Sequence, residues 1–176
     1  MKFKNKKFFD NALIITYKNN KDNRGNFIKF YASDYFSQKI IKNSIFQINL
    51  SKTKKKGTIR GLHLQVDKWA EDKIITCLKG KIFDVIVDMR KKSKNYLKWK
   101  SIILSENKTK SLFVPKGFAH GFQALKDNTE VLYFHTNNYN KKYEANLNPL
   151  DKKIKIRWPL KLTEISKKDR NAKFIK

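Results

Sequence analysis

The sequence predicts a mainly β protein, a sandwich or barrel of short strands with only a few short helices. Short runs of β-forming residues alternate with polar turns along the chain, a spacing typical of all-β domains. Forty per cent of the 176 residues are hydrophobic, including thirteen Phe, so the chain can bury a substantial core. We therefore predict a single domain that spans residues 1–176.

The strands follow from β-branched and aromatic runs bounded by turn residues. We predict them at residues 12–18, 27–30, 46–50, 58–65, 74–78, 81–88, 99–104, 111–114, 121–124 and 131–135. The stretch LKGKIFDVIVDMR predicts a hairpin, because Lys79-Gly80 turns the chain before Phe83, Val85 and Val87 alternate with other residues.

Helix is predicted in two short pieces, at residues 33–39 and near the C-terminus. The C-terminal sequence SKKD has the spacing of a capping box, with Ser166 at the cap and Asp169 three residues later. On local sequence alone, Asp169 is the acid that caps this helix.

The net charge of +26 limits the class of partner. The 36 Lys and 5 Arg are spread along the chain, and the densest run, residues 52–57, joins two predicted strands as a loop. Nucleic-acid binding more typically uses Arg, a concentrated basic stripe or interleaved aromatic residues. We expect a lysine-rich surface without a nucleic-acid partner, which still attracts small anionic ligands such as nucleotide diphosphates.

The sequence gives no indication of a membrane or an oxidising compartment. No apolar run approaches the roughly 20 residues of a membrane-spanning helix, and the run at residues 12–16 is too short for a signal-peptide core. Cys77 is the single cysteine, which excludes an internal disulfide. We expect a cytoplasmic protein.

The stretch GTIRGLHLQ, residues 57–65, places polar groups and glycines on one predicted strand. By alternation, Ile59, Gly61, His63 and Gln65 share one face of the strand and Arg60 lies on the other. Arg60 and His63 can face one pocket only if the strand bulges, and Gly61 is the expected position of that bulge. Taken alone, His63 fits a buried, hydrogen-bonded structural histidine better than a functional one.

Two spacings resemble the motifs of the cupin fold. The first contains Gly57, His63, Gln65, Glu71 and Gly80, and the second contains Pro115, Gly117 and His120. Cupins that bind metal carry a second histidine where this chain has Gln65, and an amide is a poor metal ligand. His63, Glu71 and His120 are an incomplete set, so no metal site is predicted.

Five ordered stretches make the resemblance specific: GTIRGLHLQ, KIFDVIVDMRKKSKNYLKW, LFVPKGFAHGFQAL, EVLYFHTNNY and ISKKD. With DNRGNF at residues 22–27, they resemble the dTDP-4-dehydrorhamnose 3,5-epimerase family over residues 10 to 170. The resemblance implies a cupin-type jelly roll, a homodimer that exchanges its N-terminal strand, and no cofactor. It also implies inversion at the carbons that flank the C4 ketone of a nucleotide-diphosphate sugar.

The resemblance assigns four residues to proton transfer. His63 is the expected general base, with Asp169 as the partner that orients its ring. Tyr133 is the expected acid on the opposite face of the sugar, and Lys73 stabilises the enolate oxygen. Each has a simpler alternative, since tyrosine is ordinary in strands and Lys73 is one of 36 lysines.

The resemblance also implies a substrate-binding set. Arg24 and Arg60 are expected to hold the diphosphate, His120 to line the sugar pocket and Tyr139 to stack on the base. The remaining expected substrate-binding residues are Phe27, Gln47 and Asn49. In an exchanged dimer, Arg24 would serve the neighbouring protomer's site.

The chain departs from the family pattern mainly around the rim of the substrate site, at Lys29, Ile48 and Pro149. His135 shares the face of Tyr133 by alternation and is either a packing residue or a second acid–base group. Three alternatives remain open: a C3-only epimerase or 3,4-ketoisomerase on a related nucleotide sugar, a non-catalytic polyanion-binding cupin, and a metal-dependent cupin.

Overall fold

The computed structural model describes residues 3–41 and 43–175. Met1, Lys2, Lys42 and Lys176, which belong to the predicted domain of residues 1–176, lie outside the described residues. The described part of the chain forms two antiparallel sheets and a small hairpin, with two short α-helices.

Six strands form the larger sheet, in the order β1-β2-β10-β7-β12-β5. They are β1 (Lys4–Phe9), β2 (Ala12–Thr16), β5 (Gln47–Thr53), β7 (Lys73–Lys79), β10 (Lys110–Val114) and β12 (Thr129–His135). Every neighbouring pair in this sheet is antiparallel.

Five strands form the second sheet, in the order β13-β6-β11-β8-β9. They are β6 (Ile59–Gln65), β8 (Lys81–Asp88), β9 (Trp99–Ser105), β11 (Phe118–Ala124) and β13 (Glu144–Asn146). The remaining strands, β3 (Asn19–Asp22) and β4 (Gly25–Ile28), pair only with each other.

The main core lies between the two sheets. Ile75, Leu112 and Val131 from the larger sheet pack with Ile86 and Phe122 from the smaller sheet, and all five are at most 1% exposed. Burying side chains of this size stabilises the fold by about 1.5–3 kcal/mol each. The architecture confirms the predicted mainly β, cupin-type sandwich with a few short helices.

Both outer faces are also partly covered. Helix α1 (Ser33–Lys39) packs the fully buried Phe36 over Ile15, Phe113 and Phe134 of the larger sheet. On the smaller sheet, Ile154 and Trp158 of the C-terminal segment cover Leu62, Leu64 and Val85. Because Phe134 faces outward under α1, its neighbours Tyr133 and His135 face the other side of the sheet.

Strand β6 contains the predicted bulge. His63 pairs with His120 and Arg60 pairs with Phe122, so β6 uses one more residue than β11 between these two pairs. The extra residue lies at Gly61, whose φ of +114° favours glycine. A Cβ there would be 2.6 Å from the Gly121 Cα, so the close approach of the two strands also requires glycine.

The predicted hairpin at Lys79-Gly80 is wrong. Strands β7 and β8 on either side of Gly80 belong to different sheets and do not pair with each other. Gly80, with φ of +79°, is the single residue between the two strands. The shortest common hairpin loop contains two residues, so this connection is too short for one. The turn therefore carries the chain from one sheet to the other.

The two helices form where the sequence predicts them. Helix α1 has the predicted bounds, and helix α2 (Lys167–Arg170) begins after Ser166, whose hydroxyl accepts the backbone N–H of Asp169. Within residues 3–41 and 43–175, neither helix has the length and apolar character needed to cross a bilayer.

Candidate active site

A cavity of about 670 Å³ opens beside the bulge of β6. Strands of both sheets line it together with the segment that leads into α2. Seven of the predicted site residues lie on its wall: Asn49, Arg60, His63, Lys73, His120, Tyr133 and Asp169.

His63 and Asp169 form a hydrogen-bonded pair at one wall. The His63 Nε2 lies 2.6 Å from Asp169 Oδ1, and the backbone N–H of Gly61 donates to Asp169 Oδ2 at 3.1 Å. A carboxylate only accepts, so Nε2 carries the proton and Nδ1 is the basic ring nitrogen. Burial alone raises the pKa of Asp169, but the bonds from His63 and Gly61 outweigh it and keep the pKa below its usual value.

The bulge explains why this pair forms. Gly61 turns the backbone so that its N–H reaches Asp169 while His63 remains 35% exposed to the cavity. The prediction from local sequence that Asp169 is the acid of a capping box is correct only in part. Its backbone N–H donates to the Ser166 hydroxyl, which caps the helix, but its carboxylate is directed to β6 instead of the start of the helix.

Lys73 lies deep in the cavity and is almost fully buried. Its Nζ is 3.3 Å from the His63 carbonyl oxygen and 3.4 Å from Glu71 Oε1. Burial lowers the pKa of Lys73, and the negative charge of Glu71 offsets only part of this effect. In its protonated form, Lys73 is a cation in a dry site, where its charge acts strongly on a nearby oxygen.

Tyr133 faces the same cavity from the opposite sheet. His63 belongs to β6 of the smaller sheet and Tyr133 to β12 of the larger one. The Tyr133 ring stacks on His135, with centroids 5.9 Å apart, and meets His120 edge to face at 6.0 Å. Burial, followed by the nearby charge of Asp84, raises the pKa of Tyr133, so its hydroxyl keeps its proton well into alkaline solution.

His120 is part of a second buried pair. Its Nε2 is 2.6 Å from Asp84 Oδ1, and both side chains are at most 5% exposed. Burial raises the pKa of Asp84 despite the opposing effect of His120. The bond to Asp84 fixes the ring of His120 at the cavity wall, where it meets Tyr133 edge to face.

Arg60 reaches the cavity on the side of β5. Its Nε donates to the Thr53 hydroxyl and its Nη2 to the Lys52 carbonyl oxygen, both at 3.0 Å. A guanidinium has five N–H donors, so this anchored side chain keeps three for an anion.

The structure joins two further predicted residues, Gln47 and Tyr139, to Asn49 in one row next to the cavity. The backbone N–H of Tyr139 donates to Gln47 Oε1 at 2.9 Å, and Gln47 Nε2 donates to Asn49 Oδ1 at 3.0 Å. Tyr139 is 54% exposed, so its ring is accessible from solvent.

Two predicted residues lie away from the cavity of their own chain. Arg24 and Phe27 are on the β3–β4 hairpin, where the Arg24 side chain is 90% exposed and pairs with Asp22 at 2.7 Å. Phe27 is 64% exposed. The fold of one chain alone does not bring these two residues to the other nine.

The residues of the cupin spacing that resemble metal ligands have other partners. Gln65 donates to the Asn138 carbonyl oxygen and accepts the Asn140 N–H, which fixes the loop after β12. Glu71 binds Lys73 and His135. Among the residues described, no three His, Cys, Asp or Glu side chains surround a common point.

Sequence reasoning missed the carboxylate partners of two histidines. Asp84 was not distinguished from the other residues of its predicted strand, and Glu71 was considered only as a member of an incomplete ligand set. A charged residue inside the apolar run IFDVIVD is the signal that could have identified Asp84, because a buried carboxylate requires a partner.

In this cupin-type sandwich, a histidine of one sheet is bonded to an aspartate of helix α2 and shares a cavity with a tyrosine of the other sheet. This arrangement defines an acid–base isomerase. The model of one family matches residues 7–176, the dTDP-4-dehydrorhamnose 3,5-epimerases. The chain belongs to this family, which confirms the resemblance found in its motifs.

Known members agree over nearly the whole chain. The dTDP-4-dehydrorhamnose 3,5-epimerase of Shigella flexneri is 39% identical over 156 residues, which are 88% of this chain and 86% of that protein. The crystal structure of the Bacillus anthracis enzyme, with TDP and pyrophosphate bound, is 36% identical with a TM-score of 0.90, and covers 93% of this chain and 94% of its own. The structure of the Legionella pneumophila enzyme, in complex with dTDP-4-keto-L-rhamnose, is 32% identical with a TM-score of 0.93. The match covers 98% of this chain and 93% of that enzyme's chain.

Proposed function

We propose that the protein inverts C3 and C5 of a dTDP-4-keto-6-deoxyhexose, without a cofactor, in the synthesis of a dTDP-rhamnose-like deoxysugar. The observation that carries the proposal is the placement of His63 and Tyr133 on opposite sheets of one cavity, with the buried Lys73 lining it and donating to the His63 carbonyl oxygen. Inversion of a carbon requires a base on one face and an acid on the other, and this arrangement supplies both.

The chemistry proceeds through an enolate at each carbon. His63 Nδ1 removes the proton from the carbon next to the C4 ketone, and the electron pair of the C–H bond moves to the ketone oxygen. Lys73 stabilises that oxygen, a contribution often worth about 3 kcal/mol. Tyr133 then returns a proton to the opposite face of the carbon as the ketone reforms, leaving an imidazolium and a tyrosinate to be reset before the next inversion.

Asp169 makes His63 a competent base. Its negative charge stabilises the imidazolium that forms, and its bond to Nε2 directs Nδ1 to the substrate. His120, held by Asp84, lines the sugar pocket beside Tyr133.

The nucleotide-diphosphate part of the substrate fits the charge of the site. Arg60 keeps three free N–H donors for phosphate oxygens, and the net charge of +26 attracts anions over a distance. Bound TDP in the Bacillus anthracis relative and a bound dTDP-sugar in the Legionella pneumophila relative support the same ligand class here. We assign Gln47, Asn49 and Tyr139, which form one hydrogen-bonded row, to the nucleotide.

Proton NMR of dTDP-4-keto-6-deoxyglucose in D₂O tests the proposal, with a His63→Ala variant as control. We expect deuterium at both C3 and C5 with inversion, and neither in the variant. Deuterium at C3 alone would replace the proposal with a C3-only epimerase or a ketoisomerase. No exchange at either carbon, with salt-sensitive binding to any polyanion, would favour a non-catalytic binding protein.

We also propose a homodimer in which the β3–β4 hairpin of one protomer reaches the cavity of its partner. Strand β5 is at an edge of its sheet, and its exposed side chains Ile48 and Leu50, 58% and 48% accessible, are apolar. An uncovered edge of this kind favours the addition of another chain. The exposed positions of Arg24 and Phe27 on the hairpin are consistent with a site in the partner.

Mixed dimers test this arrangement. Arg24→Ala and His63→Ala are each expected to lower activity severely, and a mixture of the two chains should recover part of it. The recovery would come from mixed dimers, in which one site receives both native residues. A mixture without recovery, or a fully active monomer, would exclude the exchange.

The cytoplasm stays the predicted compartment, because Cys77 is the sole cysteine and is buried.

A further inference from the structure

His135 lies at the centre of a continuous row of hydrogen bonds along the cavity wall. We define the His135 row by its six members, in order: Tyr139, Gln47, Asn49, His135, Glu71 and Lys73. One end contains residues placed at the nucleotide, and the other contains the ammonium placed at the sugar ketone.

The imidazole of His135 joins the two ends directly. Its Nδ1 lies 2.9 Å from Glu71 Oε2, and its Nε2 lies 3.3 Å from Asn49 Nδ2. The other Glu71 oxygen, Oε1, is 3.4 Å from Lys73 Nζ. The side chains of Glu71 and His135 are 6% and 13% exposed, so water competes little for these bonds.

The first member of the row fixes the direction of every bond as far as His135. A backbone N–H can only donate, so Tyr139 requires Oε1 of Gln47 as its acceptor. Gln47 then presents Nε2 to Asn49 Oδ1, and Asn49 presents Nδ2 to His135. His135 Nε2 must therefore accept a hydrogen bond and carries no proton.

The opposite end of the row leads to the same protonation state. Glu71 is a carboxylate shared with the ammonium of Lys73, and it only accepts. His135 Nδ1 must therefore donate, and the ring is neutral with its proton on Nδ1. In the Nε2–H form, a lone pair on Nδ1 would face the Glu71 carboxylate, and a donor would face the Asn49 amide.

A doubly protonated ring does not fit either. It would force Asn49 and then Gln47 to reverse their amides, and the Gln47 NH₂ group would face the Tyr139 N–H. Two donors cannot bond, so the row would break at that point. The Asn49 amide and the Glu71 carboxylate bond this ring, Tyr133 stacks on it, and the Lys73 charge lies against Glu71.

We infer that His135 is a positioning residue which, as the neutral Nδ1–H form, links the nucleotide-side amides to the Glu71–Lys73 pair. The inference rests on the proposed function for the identity of the two ends. Through Asn49 the imidazole orients the amides that would hold the nucleotide. Through Glu71 it holds one carboxylate oxygen, so that the carboxylate does not turn fully onto Lys73 and the ammonium stays available to the ketone oxygen.

Nitrogen-15 NMR of the imidazoles tests the protonation state on the unmodified protein. The sequence has three histidines, and His63 and His120 both bond an aspartate through Nε2. Near pH 8 we therefore expect two Nε2–H signals and one Nδ1–H signal, and a His135→Asn variant should lack the Nδ1–H signal. An Nε2–H or doubly protonated ring at His135 would overturn the inference.

Two substitutions separate the two halves of the link. The side-chain amide of asparagine reaches the position of Nδ1, so His135→Asn keeps the bond to Glu71 and loses the bond to Asn49. The side-chain amide of glutamine reaches the position of Nε2, so His135→Gln keeps the bond to Asn49 and loses the bond to Glu71. We expect His135→Asn to raise KM about 3- to 10-fold with kcat nearly unchanged, and His135→Gln to lower kcat by a similar factor with KM nearly unchanged.

Glu130→Gln is the matched control. Glu130 lies on the same strand and pairs with Lys52 at 3.6 Å outside the row, so its loss should change neither KM nor kcat. Equal effects of the two His135 variants on KM and kcat, or values equal to the control, would overturn the inference. An inactive unmodified protein would instead refute the proposed function, while the NMR result would still decide the protonation state.

Discussion

Asp169 Oδ1 lies 2.6 Å from Nε2 of His63, although 106 residues separate them in the chain. The bond joins the last helix to the strand that contains the bulge, and a second bond from the Gly61 N–H holds the same carboxylate. One side chain thus contributes both to the position of α2 and to the basicity of the histidine.

The first prediction removes the charge of Asp169 and keeps its shape. In Asp169→Asn the side chain can present its amide oxygen to the Nε2–H, but an imidazolium at His63 loses its counter-charge. We expect kcat to fall about 10²- to 10⁴-fold, with little change in substrate binding. Steady-state kinetics on the keto-sugar would measure both.

Ser166→Ala is the control for the structural role of this helix. It removes the hydroxyl that caps α2 but leaves the carboxylate of Asp169 in place. The free energy of unfolding should fall by about 1 kcal/mol, with kcat reduced far less than in Asp169→Asn. Similar losses of kcat in the two variants would mean that Asp169 acts mainly by holding the helix.

A second prediction separates proton removal from proton return. In Tyr133→Phe, His63 can still form the enolate, but no acid faces the opposite side of the sugar. We expect deuterium from D₂O to enter C3 or C5 with the original configuration retained, and inversion to be lost. NMR of the recovered sugar would show this, whereas inversion at the normal rate would assign the acid to another group.

The strands that sequence could predict are those whose apolar residues alternate or run together, and β8 was predicted with its observed bounds. The missed strands, β1, β3 and β13, are polar or short and are held by pairing with a neighbour. At Gly80 the sequence indicated a turn correctly but could not specify which sheet receives the next strand. That choice depends on packing between the sheets.

Sequence could predict those residues of the candidate site that lie within recognisable motifs. Order and spacing of motifs indicated His63 and Tyr133, and alternation with one glycine indicated that Arg60 could share their cavity. The pairings of His120 with Asp84 and of His135 with Glu71 join residues 36 and 64 positions apart. Local sequence has no information about such contacts, since the pairing of strands creates them.

A third prediction concerns the close approach of strands β6 and β11. In Gly61→Ala the new Cβ would be 2.6 Å from Gly121 Cα and 2.7 Å from the His120 carbonyl oxygen. We expect a loss of about 3 kcal/mol or more in the free energy of unfolding. Gly25→Ala is the matched control, because its φ of +129° is also positive but nothing lies within 4 Å of its Cβ. Denaturant unfolding should show a loss of only about 1 kcal/mol for the control.

The last prediction assigns the alkaline decline of activity to Lys73. Burial lowers the pKa of this ammonium, so its charge is lost as the pH rises through a value below the usual one for lysine. The pKa of Tyr133 is shifted upward, so its hydroxyl still carries a proton in that range. The rate of enolate formation should therefore decline at a pH below about 10.4.

Deuterium exchange separates the two groups, because it requires His63 and Lys73 but not the acid. The alkaline limb of exchange should have the same midpoint in the unmodified protein and in Tyr133→Phe. A limb that disappears in Tyr133→Phe would assign the decline to the tyrosine hydroxyl. If the midpoints agree, the buried ammonium sets the upper pH limit of the reaction. Burial, offset in part by the charge of Glu71, then determines where that limit lies.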